Sequence, residues 1–244
     1  MENKIQKKDF IELEYSGSIK NGEVFDTNIK EDAKKLELDA EFRPLVICIG
    51  EGMILPAIDE FLEGKELGKY TLDLTPAKSF GERSREMIKT MPLRIFIEKQ
   101  IMPQPGMVFQ FDTLLGKISA VSGGRVIVDF NNPLAGKDVT YTLNAKRKVE
   151  DIKERVEVLI ALYFRRKLEF EIVDKKVIIK VEKQFAPLIG YYAPKFKDLL
   201  GLDLEVKEIE LNQGSTTPIQ EKEDSTIKTK VFDPIQSETK EEAA

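Results

Sequence analysis

Ile11, Leu13 and Tyr15 alternate with Glu12 and Glu14, the period of a half-buried strand, and Asn21-Gly22 offers the positive φ angles of a tight turn before Val24-Phe25. The pattern predicts a β-hairpin over the first thirty residues. Residues 29–44 are charged and end at Pro44, which predicts a surface excursion with a turn or two of helix. Leu45 to Ile49 is a short continuous apolar run, as in a buried strand. Ile54, Ile58, Phe61 and Leu62 then share one helical face around Pro56, Gly64 stops the helix, and Tyr70, Leu72 and Leu74 return to alternation.

From Met87 the texture changes. Met87, Met91, Met102 and Met107 are mixed with Leu93, Ile95, Phe96, Ile97, Ile101, Phe109 and Phe111, and prolines 92, 103 and 105 interrupt any long helix. Val108–Phe111, Gly116–Val121 and Arg125–Phe130 read as short strands, with Gly123-Gly124 turning between the last two. A small β unit is predicted here.

After Tyr141 the period becomes helical: Ile152, Val156, Leu159, Ile160 and Tyr163 fall on one face. Leu168-Phe170-Ile172 and Val177-Ile179-Val181 alternate around Asp174-Lys175-Lys176, residues 194–200 predict a helix closed by Gly201, and Leu202 to Leu211 offers a last strand. This order predicts a two-layer α-β-β-α-β domain. Residues 212–244 have almost no apolar pattern and are expected to be a disordered acidic tail, carrying seven carboxylates against four lysines.

The tail holds most of the net charge of −5, so the remainder is nearly neutral and offers no footprint for nucleic acid or an anionic membrane. One cysteine, Cys48, excludes an intrachain disulfide framework and favours a reducing compartment. Histidine is absent, which removes Ser-His-Asp and Cys-His nucleophiles and His-containing metal sites. No apolar run approaches a membrane span, and the start MENKIQKKDF has no apolar h-region, so a cytoplasmic protein without metal or cofactor is expected. Gly50-x-Gly52 lacks the further residues of a phosphate loop. Asp59, Glu60, Glu63 and Glu66 read as the solvated face of the short helix, and Arg165-Arg166-Lys167 as cations at a helix C-terminus.

Four motifs stand in order: Tyr15-Ser16-Gly17, Phe25-Asp26-Thr27-Asn28, the run from Ile49 to Asp59 (IGEGMILPAID), and Pro76-Ala77-Lys78-Ser79-Phe80-Gly81. This order resembles the FKBP family of peptidyl-prolyl cis/trans isomerases. A fifth segment, Val128–Lys137 (VDFNNPLAGK), resembles the stretch that re-enters the FKBP barrel in SlyD-like members after an insert-in-flap chaperone domain. The resemblance implies an α+β fold: an FKBP-like antiparallel β half-barrel with one short helix, an inserted β-rich domain, and the C-terminal α-β-β-α-β domain. The implied boundaries are 1–85 with 130–146 for the isomerase, 86–129 for the insert, 147–211 for the C-terminal domain and 212–244 for the tail.

On the same resemblance, Tyr15, Phe25, Asp26, Ile54, Leu55, Phe80 and Tyr141 line the isomerase pocket, and the Leu55 N–H binds a ligand carbonyl. Two positions depart from the family: Ile58 replaces an indole floor, and Phe80 stands where tyrosine is common. The implied activity is isomerisation of X-Pro bonds in unfolded or partly folded polypeptides. The alternative is a non-enzymatic holdase on the same scaffold. Met87, Met91, Phe96, Ile101, Met102, Met107, Phe109 and Phe111 are assigned to client binding, because methionine repacks readily around different partners. A small α+β unit can pair to cover an exposed sheet face, which leaves homodimerisation through the C-terminal domain open.

Overall fold

The computed structural model describes residues 4–34, 44–209 and 230–232. Its elements begin with β1 (Phe10–Ile19), β2 (Val24–Thr27), α1 (Lys30–Ala33), β3 (Leu45–Cys48), α2 (Pro56–Leu62) and β4 (Gly68–Leu74). There follow β5 (Ile88–Pro92), α3 (Leu93–Glu98), β6 (Val108–Phe111), β7 (Leu114–Ser122), β8 (Arg125–Asp129) and β9 (Val139–Lys148). The rest are α4 (Ile152–Phe164), β10 (Glu169–Val173), β11 (Lys176–Glu182), α5 (Ala186–Tyr191), α6 (Ala193–Leu200), β12 (Asp203–Ile209) and β13 (Lys230–Phe232). The chain divides into two compact units, one within Met1–Ser79 and Lys137–Thr217, the other formed by Phe80–Gly136 with the tail strand. Among the described residues no helix is long and apolar enough to cross a membrane.

In the first unit β1 is the central strand of an antiparallel sheet. β9 pairs along its whole length on one edge, with β4 beyond β9. The other edge is shared, β3 pairing with Phe10–Leu13 and β2 with Ser16–Ser18. The predicted hairpin turn is present, with Asn21 at φ 58°. Phe10 and Ile11 are adjacent and both buried, since alternate side chains of a strand leave on opposite faces and here each face is covered.

What covers one face is the C-terminal segment. Phe10, Cys48 and Val149 share a continuous core with Val156, Leu159, Ile160 and Phe164 of α4, Val177, Ile179 and Val181 of β11, and Phe196 and Leu199 of α6. α4 starts at an Asp151 cap, whose carboxylate accepts the Glu154 N–H at 2.9 Å, and ends at Arg165 in the left-handed region, φ 53°. β10 and β11 form a hairpin across Asp174 and Lys175, both at positive φ. β12 lies parallel to β11, which requires the crossover that α5 and α6 supply. The segment expected as a separate body over 147–211 therefore belongs to one compact unit with the isomerase sheet.

The second unit is a sheet in the order β13-β6-β7-β8-β5, with α3 lying over a core of Phe96, Ile101, Phe109, Phe111, Ile118, Val126 and Val128. Gly123 and Gly124, both at positive φ, turn β7 into β8. Where the chain enters and leaves, its two passes are held side by side. Gly136 N–H donates to Gly81 O at 2.9 Å and Phe130 N–H to Met87 O at 2.9 Å. Asn131 accepts from Ser84 N–H at 2.8 Å and donates to Ser84 O at 2.9 Å, and Arg83 pairs with Asp129. This neck extends the insert beyond the expected 86–129. Of the tail expected to be disordered, Lys230–Phe232 form β13, parallel to β6; the remainder lies outside the described residues, as do residues 35–43 of the charged excursion.

The shared core makes a prediction. Leu159→Ala should cost about 2–5 kcal/mol, the range of buried leucine truncations. The loss should appear equally in amide-exchange protection of β1 and of β11, because both elements close on the same side chains. Protection lost in β11 alone would mean that the two layers unfold separately.

Candidate active site

Gly17 sits between Asp26 on β2 and Tyr141 on β9 as the paired residue of each. A Cβ at this glycine would lie 2.9 Å from Phe25 Cζ and 2.9 Å from Tyr141 Cε1. The missing side chain lets the two rings meet over the strand, edge to face, with centroids 5.9 Å apart. Tyr15, two residues earlier on the same face, brings its ring to 6.3 Å from that of Tyr141. Its hydroxyl donates to Asp26 Oδ2 at 3.1 Å. Tyr141 is 3% exposed while Asp26 is open to solvent, so the cluster has an apolar base and a polar rim.

The end of β2 explains the Phe25-Asp26-Thr27-Asn28 motif. Beyond the last ladder pair, Asn28 Oδ1 accepts the Tyr15 N–H at 2.7 Å and Asn28 Nδ2 donates to Leu13 O at 2.8 Å. Thr27 Oγ1 donates to Tyr15 O at 3.0 Å. The backbone of Tyr15 is thus fixed on both its N–H and its C=O, and the phenol it carries is aimed at Asp26. Both phenols resist ionisation: burial, then the Asp26 charge, raises Tyr15 above its ordinary value, and the same causes in the same order push Tyr141 up to about 12. Each remains a neutral hydrogen-bonding group throughout the physiological range.

Ile54 and Leu55 lie in the turn that leads into α2, and Leu55 is the residue that caps it, its carbonyl accepting the Ile58 N–H at 2.8 Å. Ile58 is fully buried on the inner face of that helix. Asp59 corrects the reading of a wholly solvated acidic face. It is 6% exposed, and its Oδ2 accepts the Gly52 N–H at 3.3 Å. A four-residue period brings one acidic residue of this short helix back over the glycine loop, where it holds a backbone donor. Phe80, the last of the assigned pocket residues, falls in the second compact unit.

In that unit the client-binding assignment needs correction at four positions. Phe96, Ile101, Phe109 and Phe111 are buried in the insert's own core, because a sheet this small has few other side chains with which to exclude water. Met102, 74% exposed, and Met107 are on the surface, and Met87 and Met91 are half-buried. The sequence reading missed Ile97, Leu114, Leu115 and Ile127, which are exposed. For Leu115 and Ile127 the available signal was strand alternation, which turns Leu115 opposite to Gly116 and Ile127 opposite to Val126 and Val128. Gly17 was missed as a site residue too, although a glycine inside a strand marks a close approach. Among the described residues no group of three or more Cys, Asp or Glu is placed to hold a metal.

Comparison with known proteins agrees with this architecture. Residues 1–98 match the profile of FKBP-type peptidyl-prolyl cis-trans isomerases, and residues 89–134 match that of the FKBP26 IF domain. A short-type peptidyl-prolyl cis-trans isomerase of Methanocaldococcus jannaschii is 31% identical over 157 residues, covering 63% of this chain and 97% of the relative. The SlyD isomerase of Vibrio cholerae is 30% identical over 145 residues, covering 57% of this chain and 66% of the relative.

Asp59 gives a pH prediction. Burial, the largest influence, raises its carboxyl above the ordinary value against the lowering effect of the Gly52 and Gly50 N–H groups. A carboxyl with a raised folded pKa favours the native state when protonated, so its contribution to stability falls as pH rises through the interval above its unfolded value. The neutral Asp59→Asn variant should therefore gain in thermal midpoint over the parent near neutrality, and that gain should shrink as the pH is lowered toward the ordinary carboxylate range. A gain that grows on acidification would reverse the sign of the shift.

Proposed function

Because the chain belongs to the FKBP-type peptidyl-prolyl cis-trans isomerases, we propose that it turns X-Pro bonds in the cluster of Tyr15, Phe25, Asp26 and Tyr141, with Ile54, Leu55 and Ile58 completing the pocket. The observation that carries this assignment is the pair of rings meeting over Gly17 beside the Tyr15–Asp26 hydrogen bond.

The chemistry suits such a wall. An X-Pro bond is held planar by charge-separated resonance, with a barrier of ~18–20 kcal/mol. Water stabilises the polar planar amide, so an apolar cavity raises it relative to the twisted form. Shortening a relaxation of ~100 s to ~10 ms requires about 5.5 kcal/mol, and no nucleophile or titrating group has to take part. The Leu55 N–H is the donor we assign to the carbonyl preceding proline. Asp26 fixes the Tyr15 phenol and with it the outline of the cavity. Ile58 supplies an aliphatic floor.

The insert adds a second binding surface for unfolded polypeptide. Its exposed apolar side chains, Met102, Met107, Ile97, Leu114, Leu115 and Ile127, are the ones we assign to client contact, with half-buried Met87 and Met91 beside them. Unpaired apolar groups of this kind suit extended chains of varied sequence. Exposed Leu188 and Tyr191 on α5 would suit a second copy of the chain, which gel filtration tests.

Two experiments test these assignments. Asp26→Leu should lower kcat/KM on prolyl tetrapeptides at least about tenfold with the fold intact. Unchanged activity in Asp26→Leu removes Asp26 from the site. In the second, residues 86–129 are replaced by a short Gly-Ser loop. Tetrapeptide turnover should barely change, whereas proline-limited refolding of a whole protein should slow by roughly ten- to a hundredfold, as when one of two linked sites is lost. Equal losses on both substrates would refute the division of labour.

A further inference from the structure

Glu51 lies in the glycine loop three residues before Ile54, and its carboxylate is held from the C-terminal layer. Tyr163 of α4 donates its hydroxyl to Glu51 Oε2 at 3.0 Å. Lys195 of α6 places Nζ 2.9 Å from Oε1 and 2.8 Å from Oε2. The Glu51 side chain is only 13% exposed, whereas that of Lys195 is 48% exposed, so it is the carboxylate end of the pair that is withdrawn from solvent. The Tyr163 ring is itself fixed, stacked on Tyr192 at 4.6 Å.

The same loop is gripped at two further points. Met53 packs against the shared core, and its Sδ lies 3.1 Å from the Cys48 N–H, while Gly52 N–H donates to Asp59. Gly50 and Gly52 both have positive φ, so the loop has a glycine's backbone freedom on either side of Glu51 and would wander without side-chain anchors. It delivers the chain directly to Ile54 and Leu55.

We propose that Glu51, Tyr163 and Lys195 form a positioning cluster through which the C-terminal layer presets the Ile54–Leu55 rim for the X-Pro substrate. The proposal rests on the assignment of that rim to the isomerase pocket. A braced rim offers the Leu55 N–H in place before substrate arrives. An unbraced one must be ordered at the moment of binding, and that cost falls on ground state and transition state alike. The brace therefore acts on KM and leaves kcat alone.

Steady-state isomerisation of a prolyl tetrapeptide by the full chain tests this. Glu51→Ala, Tyr163→Phe and Lys195→Met should each raise KM about three- to tenfold, the range one hydrogen bond commands, with kcat within about twofold of the parent. Glu51→Gln, which keeps an acceptor for Tyr163, should recover part of the loss. Tyr163→Phe retains the stacked ring and so separates the brace from folding: its Leu55 amide should exchange faster while β1 amides keep their protection. Lowered kcat with unchanged KM would instead indicate a loss of folded enzyme and overturn the proposal, as would parent values of both. Ile54→Ala is the control for the rim. If it raises KM while the three brace variants do not, the site stands and the brace fails. If Ile54→Ala itself changes nothing, the rim assignment fails and the brace with it.

Discussion

Phe10 and Ile11 leave β1 on opposite sides of its sheet and are both shut away from water, so this one strand is packed between two apolar layers. The arrangement ties together parts that seem independent along the chain. The layer under Phe10 is made by α4, β11 and α6, more than a hundred residues away in sequence, and it closes on Cys48 at the end of β3 as well. β3 runs straight into the glycine loop and α2. The position of the glycine loop is in this way set by residues more than a hundred positions away in sequence, and the C-terminal segment becomes part of the isomerase scaffold.

The site we propose is made largely of shape. Its central feature is an absent side chain at Gly17, filled by two rings from neighbouring strands, and the polar groups around it hold geometry and exchange no protons. Tyr15 and Tyr141 are kept neutral by burial, and Asp26 serves as an acceptor. A chain without histidine is well matched to a reaction whose barrier lies in torsion about an amide and not in breaking a bond.

Much of this was legible in the sequence wherever a local rule is strong. Alternation with Asn21-Gly22 or Gly123-Gly124 gave the hairpins, Pro56 and Gly64 bounded α2, and the five ordered motifs led to the family. Several elements escaped, β5, α3 and β13 among them, and two are instructive. α5 begins with Ala186-Pro187 and carries Gly190, residues that read as breakers, and it forms because tertiary packing of Ile189 outweighs weak propensity. β9 has an alternation of Val139, Tyr141, Leu143 and Ala145 as clear as any, but lies just after the motif that drew the reading to re-entry into the barrel. Burial was the harder problem. An apolar residue in a short insert suits core and surface equally, so Phe96 and Met102 are indistinguishable by type although one is fully buried and the other open. Nor does periodicity say what covers the second face of a strand, which is why the shared core under Phe10 could not be read in advance.

The neck of the insert bears on how the chain folds. β4 and β9 pair through Leu74 and Val139, so the host sheet must close a loop of about 64 residues. Once Gly81 and Gly136 are joined, and Ser84 and Asn131 with them, the excursion is bypassed and only about eight flexible residues remain between the two strands. Three halvings of loop length at roughly 0.6 kcal/mol each lower the closure entropy by about 2 kcal/mol. An insert that forms its own sheet first thus acts on its host as a staple, turning a long-range pairing into a local one and favouring a folding order in which the guest precedes the barrel that carries it.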